Sequence, residues 1–110
     1  MGRVKRGEVR WYTFKAPDKR RPVLVLTRST SIGVLNALTV VPIISTIRQV
    51  PSEVVLEESD GLRQSCAVNL HALQTVPKVN LGPLLATLSQ DRMDEVEGAI
   101  RFSLDFEALF

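Results

Sequence analysis

Apolar positions fall in short runs of strand length over the first three quarters of the chain, then switch to helical spacing. Residues 8–14, Glu-Val-Arg-Trp-Tyr-Thr-Phe, have the β-branched and aromatic content of a strand. Val9, Trp11 and Thr13 would share one face; Arg10, Tyr12 and Phe14 would share the other. Residues 15–20 read as a loop with Pro17-Asp18 as its turn signal. A second strand is predicted over 22–27, where an unbroken apolar run suits a central position and Pro22 sits at the start. Residues 28–36 form a polar loop around Gly33. A third strand covers 37–42, with mixed polarity from 43 to 50 and Pro51-Ser52 as punctuation. Residues 53–56 make a short strand, and 57–61 an acidic turn. Across 65–70, Cys66, Val68 and Leu70 alternate with Ala67, Asn69 and His71; residues 73–76 extend or pair with this strand.

The C-terminus differs in kind. Ser89 is a good helix N-cap, Asp91 and Asp94 suit a positive first turn, and Met93, Val96, Ile100 and Leu104 recur at helical spacing. Gly98 weakens this helix locally. With no internal repeat or low-complexity tract, residues 1–110 read as one mainly β domain. Short strands followed by one amphipathic helix fit a small, strongly bent barrel capped by a helix.

Charge adds an asymmetry. Nine of the fourteen Lys and Arg residues lie in the first thirty positions, against only Glu8 and Asp18, so that segment carries about +7. The remaining eighty residues carry about −5, and the overall +2 hides the contrast. A cationic end on a small protein points to nucleic acid or an acidic partner. The densest run, Lys19-Arg20-Arg21, leads through Pro22 into Val23-Leu24-Val25-Leu26. A guanidinium at the mouth of a rigid strand suits a phosphate, because its planar fork meets two oxygens at once.

Other chemistries are thinly supplied. No apolar run approaches the roughly 20 residues that span a bilayer, and the N-terminus lacks a signal peptide's apolar core, so no membrane association is expected. One cysteine excludes an internal disulfide and fits a reducing cytoplasm. One Cys and one His cannot assemble an ordinary zinc site, so no metal or other cofactor is expected. Cys66 reads as a small core residue rather than a nucleophile. Glu57, Glu58 and Asp60 read as a solvated turn.

Several segments, in order, resemble the MazF/PemK family of toxin ribonucleases. They are Lys5-Arg6-Gly7-Glu8-Val9, Arg21-Pro22-Val23-Leu24-Val25-Leu26, Val40-Val41-Pro42-Ile43, Pro51-Ser52-Glu53-Val54-Val55-Leu56, Gly61-Leu62 followed by Ser65, Leu73-Gln74-Thr75-Val76-Pro77-Lys78, and Leu88-Ser89. Each is common alone; their order and spacing across nearly the whole chain make the likeness specific. The resemblance implies an SH3-like barrel with a C-terminal helix, a homodimer, and a cognate antitoxin that covers the active surface. It also implies metal-independent cleavage of single-stranded RNA at short sequences. There the RNA's own 2′-hydroxyl attacks phosphorus, leaving a 2′,3′-cyclic phosphate and a 5′-hydroxyl.

That chemistry asks for a proton acceptor, help for the leaving 5′-oxygen, and a cation to hold charge on the phosphorane. The resemblance sets the family's arginine on Arg21, which is expected to stabilise the transition state. Its usual threonine position is occupied by Ile44, so Ser45 or Thr46 is expected to supply the hydroxyl. Some relatives use an Arg and an Asp around the strand after Gly-Leu; the matching residues are Asn69, a candidate base contact, and His71, a candidate proton shuttle because of its residue type. Lys19 and Arg20 are expected to attract RNA generally. Trp11 is a core or dimer residue, or a platform for base stacking. Two rival functions follow from the Ile44 departure: a CcdB-type toxin of similar barrel that poisons a DNA topoisomerase without cutting, and an inactive relative that only binds RNA.

Overall fold

The computed structural model describes residues 3–15 and 19–106, so the expected Pro17-Asp18 turn lies outside the described residues. Among the described residues seven strands form one antiparallel sheet: β1 (Glu8–Thr13), β2 (Arg20–Val25), β3 (Ala37–Ile44), β4 (Glu53–Leu56), β5 (Cys66–Asn69), β6 (Gln74–Pro77) and β7 (Leu84–Thr87). Their order is β4-β5-β3-β2-β1-β7, with β6 joined to β3. β3 pairs with β2 along one edge. On its other edge it meets β6 through its first half and β5 through Ile43 and Ile44. This exchange of partners along one strand bends the sheet into a half-barrel, and the helix α2 (Gln90–Ser103) closes it. The mainly β, helix-capped expectation holds.

Both faces of the central strands are covered, which explains the unbroken apolar run of β2. Val9, Leu24, Val41 and Ile43 pack with Met93, Val96 and Ala99 of α2 in one core. Val23, Val25, Leu38, Val40 and Val76 form a second core on the opposite face. Ser89 caps α2 as expected, its side chain accepting the Arg92 N–H at 3.2 Å. Leu104 leaves the expected apolar stripe: the helix ends at Ser103, and Leu104 is exposed.

The Gly7-Glu8 pair fastens the chain start to both ends of the fold. Gly7, at φ 92°, donates to Val25 and accepts from Leu88, each at 2.9 Å. That left-handed backbone favours glycine. The buried Glu8 carboxylate accepts the Lys5 N–H at 3.0 Å and Arg10 Nε at 2.8 Å.

Four local expectations need correction. β2 starts at Arg20, so Arg20, expected in the loop, and Arg21, expected just before the strand, are strand residues paired with Thr13 and Tyr12. The stretch 28–36 contains a short helix, α1 (Ser29–Ile32), because Ile32 is drawn into the second core. β6 pairs with β3 instead of β5, and β7 was not anticipated; its pairing with β1 recruits a segment of weak local propensity. The acidic stretch forms a 3₁₀ turn, Glu58–Asp60, and its last carboxylate is bound rather than solvated.

Asp60 accepts from Arg92 Nε at 3.0 Å and from the Glu57 N–H at 2.9 Å. Burial alone would raise its pKa, but these hydrogen bonds and the Arg92 charge outweigh it and hold the carboxyl below its usual 3.8. A depressed folded-state pKa contributes stability above the unfolded value of about 3.9, and that stability drains as pH falls through the folded value. Asp60→Asn is therefore expected to flatten the acid limb of stability against pH, read by urea unfolding from pH 7 to pH 3. An unchanged limb would refute the assignment.

Candidate active site

The site arises where two strands part. Backbone groups of alternate strand residues face opposite neighbours. In β2, the Val25 carbonyl meets Gly7 on the β1 side, while the N–H of the next residue, Leu26, donates to Thr39 of β3 at 2.9 Å. By that alternation Leu24 and Pro22 also face β3, and Pro22 has no N–H to donate. The β2–β3 ladder ends at Val23↔Pro42, while β3 continues onto β5 through Ile43↔Val68 and Ile44↔Ala67. A notch opens beyond Pro22. Carrying the register two residues further sets Ile44 across from Arg21.

The notch widens into a cavity of about 390 Å³. Trp11, Arg21, Pro22, Ile43, Ile44 and Ser45 form its sheet side; Leu62, Arg63, Gln64 and Cys66 come from the β4–β5 connection and β5, and Leu85 from β7. Arg21 also lines a smaller recess of about 160 Å³ with Phe14, Pro42, Ile44 and Gln74. The Arg21 side chain is exposed, and no ion pair of the described residues includes it. Among the described residues it is neither buried nor tied to a carboxylate.

Trp11 is half-buried, its backbone pinned by hydrogen bonds to Gly82 at 2.8 Å and Pro83 at 3.1 Å. The Arg20 guanidinium lies 4.4 Å from its ring centroid, a cation–π contact. Lys19 is exposed at the strand entry, and Thr46 is exposed beside Ser45 without lining the cavity. The structure thus brings Trp11, Arg21 and Ser45 together, with Arg20 over the indole. It does not bring Asn69 or His71 into the cavity. β5 runs antiparallel to β3 and meets Ile44 at Ala67, so Asn69 and His71 lie progressively beyond that contact. There the Asn69 Oδ1 accepts the His71 N–H at 3.2 Å.

Three contributors escaped the sequence reading. Arg63 and Gln64 come from the connection after Gly61-Leu62. Gly61 sits at φ 98° and Leu62 is buried, so the next two side chains are turned out over the cavity. The Gly61-Leu62 motif was the available signal. Glu53 is the third, its side chain only 2% exposed. It accepts the Arg48 and Gln49 N–H groups at 2.9 and 3.2 Å, and Arg48 Nη1 lies 3.6 Å from its other oxygen. This clamp holds the loop that carries Ser45 and Thr46.

Burial and the Asp60 charge push the Cys66 thiol pKa up, so it stays protonated and serves as a core side chain. No cluster of three or more His, Cys, Asp or Glu among the described residues could hold a metal ion. Beside an apolar wall of Pro22, Ile43, Ile44, Leu62 and Leu85, the cavity offers two guanidinium groups, a hydroxyl, an amide and an indole, groups that can meet a phosphodiester and its bases.

A half-barrel of short strands closed by one helix, with an Arg-Pro pair at the edge of an open cavity that also carries Arg63, defines a small β-protein with a cation-bearing cavity at its strand ends. Residues 5–104 match the family described as the PemK-like, MazF-like toxin of type II toxin–antitoxin systems. A relative named "Probable endoribonuclease MazF5", from Mycobacterium tuberculosis, is 40% identical over 91% of this chain and 92% of its own length. The solved Mycobacterium tuberculosis toxin MazF-mt6 superposes with a TM-score of 0.84 at 31% identity, covering 92% of this chain and 99% of that one. A mycobacterial endoribonuclease solved in complex with its cognate antitoxin has the same fold, with a TM-score of 0.85 at 22% identity over 96% of this chain and 98% of that one. The chain belongs to the PemK-like, MazF-like toxin family.

Proposed function

We propose that this chain is an endoribonuclease toxin that cuts single-stranded RNA at short sequences by using the RNA's own 2′-hydroxyl as nucleophile, and that a cognate antitoxin silences it. The family membership and the names of its relatives support the activity and the antitoxin. The observation that carries the mechanism is an exposed Arg21, free of carboxylates among the described residues, at the wall of an open cavity.

In this reading the 2′-oxygen attacks phosphorus as the bond to the 5′-oxygen breaks. A proton leaves the 2′-hydroxyl and another reaches the departing oxygen. Arg21 binds the non-bridging oxygens, and its hydrogen bonds strengthen as charge gathers there. Ser45, in the cavity, supplies the hydroxyl that Ile44 does not, with Thr46 beside it. Lys19 and Arg20 draw the polyanion in, and Arg20 together with Trp11 offers a flat surface for a base. Asn69 and His71 do not line the cavity of one protomer. The toxin acts as a homodimer in the cytoplasm without a metal. Purified protein incubated with RNA in EDTA is expected to release fragments ending in cyclic phosphate; intact RNA would overturn the reading in favour of a binding-only toxin.

Ile44 gives a gain-of-function test. Ile44→Thr adds a donor across from Arg21 and is expected to raise the cleavage rate about fivefold to tenfold, the worth of one ordinary hydrogen bond. Single-turnover kinetics on an RNA oligonucleotide would read it, and an unchanged rate would show that Ser45 already fills that role.

A further inference from the structure

Arg21 is the common wall of two recesses. The larger, of about 390 Å³, holds Trp11 and Gln64; the smaller, of about 160 Å³, holds Phe14 and Gln74. Residues of one parity on β3 line the second recess: Pro42 and Ile44 follow Leu38 and Val40, which face the second core. The larger recess draws on Ile43 as well, which belongs to the first core. The two recesses therefore open on opposite sides of the strand ends, with one guanidinium between them. Each pairs an aromatic ring with one carboxamide, and both Gln64 and Gln74 are exposed. A carboxamide carries a donor and an acceptor side by side, the pattern that reads a base edge through two hydrogen bonds. An aromatic ring supplies stacking without regard to base identity.

We propose that the nucleotides on either side of the phosphate held by Arg21 place their bases one in each recess, the first read by Gln64 beside Trp11 and the second by Gln74 beside Phe14. A phosphate between two splayed bases is the shape a single strand adopts when unstacked for recognition. The arrangement also favours in-line attack, because bases held apart pull the two riboses to opposite sides of phosphorus. The recesses differ in size. The one containing Gln74 has less than half the volume of the other and suits a single-ring base, whereas the one containing Gln64 has room for a double ring. Arg20 lies over the indole at 4.4 Å, so a base in the larger recess stacks on the free face of Trp11 or on the guanidinium plane itself.

This inference rests on the endoribonuclease reading and is tested on the same reaction. RNA with a randomised segment is digested by the native protein, Gln64→Ala and Gln74→Ala, and the 5′ ends of the products are sequenced. Circular dichroism confirms that the variants, both altered at exposed positions, are folded. Each variant is expected to lose about tenfold of its base preference at one position next to the cut, and the two positions flank the cut on opposite sides. The Gln74 position is expected to favour pyrimidines in the native protein. Unchanged preferences, or a loss at the same position in both variants, would overturn the two-recess assignment while leaving the nuclease reading intact. Failure of the native protein to cut any RNA would instead remove the reading on which it rests.

Discussion

Replacing Arg21 by alanine is expected to lower the rate of RNA cleavage by about 10²- to 10³-fold while leaving the fold unchanged. The loss follows from where charge develops. In the ground state a phosphodiester carries one negative charge, which water solvates adequately. In the phosphorane a second charge builds on the non-bridging oxygens, and a fixed bidentate donor then gains more than solvent can. Arg21 is exposed and has no ion-pair partner among the described residues, so its removal breaks no interaction seen in the fold. Arg21→Lys is expected to recover only part of the rate, since an ammonium is a point charge without the fork. Single-turnover rates beside thermal unfolding curves separate the two effects. Near-native cleavage in Arg21→Ala would exclude this residue from the transition state.

Glu53→Ala is expected to cost about 1.5–3 kcal/mol of stability, the usual worth of a hydrogen-bonded charged group, and to slow cleavage as well. Its carboxylate satisfies two backbone N–H groups, those of Arg48 and Gln49, in the loop that begins at Ser45. Gln49 stands at φ 56°, a conformation that a non-glycine residue holds only when its surroundings impose it. Without the carboxylate both donors lose their partner, the turn relaxes, and Ser45 moves relative to Arg21. Glu53→Gln keeps an acceptor oxygen in place and is expected to restore most of the activity. Denaturant unfolding and cleavage rates, measured on both variants, test the pair. Full activity in Glu53→Ala would show that the loop holds its shape without the clamp.

The larger elements were legible because their causes are local. Ser89 and the spacing of Met93 and Val96 announce α2, and the β-branched content of 8–14 and 53–56 announces β1 and β4. What escaped depends on pairing at a distance. β7 is a strand because β1 offers it an edge, and α1 forms because Ile32 finds the second core. Arg21 stood out in the sequence through its neighbours, a basic run joined to proline and an apolar strand. The reason that combination makes a site was not visible, since it depends on which neighbour Pro22 faces and on β3 switching to β5 just there. Asn69 and His71 were attractive as residue types, yet the register of β5 on β3 carries them past the cavity. Arg63 and Gln64 looked like ordinary loop residues, because only the backbone turn at Gly61 directs them inward.

The most direct test of the chemistry is a single-atom change in the substrate. An RNA oligonucleotide that the protein cuts at one linkage is made again with a deoxyribose on the 5′ side of that linkage, removing only the 2′-oxygen. Attack by the RNA's own hydroxyl predicts that this linkage survives in EDTA while the all-ribose strand yields a cyclic phosphate. Cleavage of the substituted linkage at a comparable rate would mean that water or a side chain is the nucleophile, and would contradict the mechanism assigned to Arg21 and its cavity.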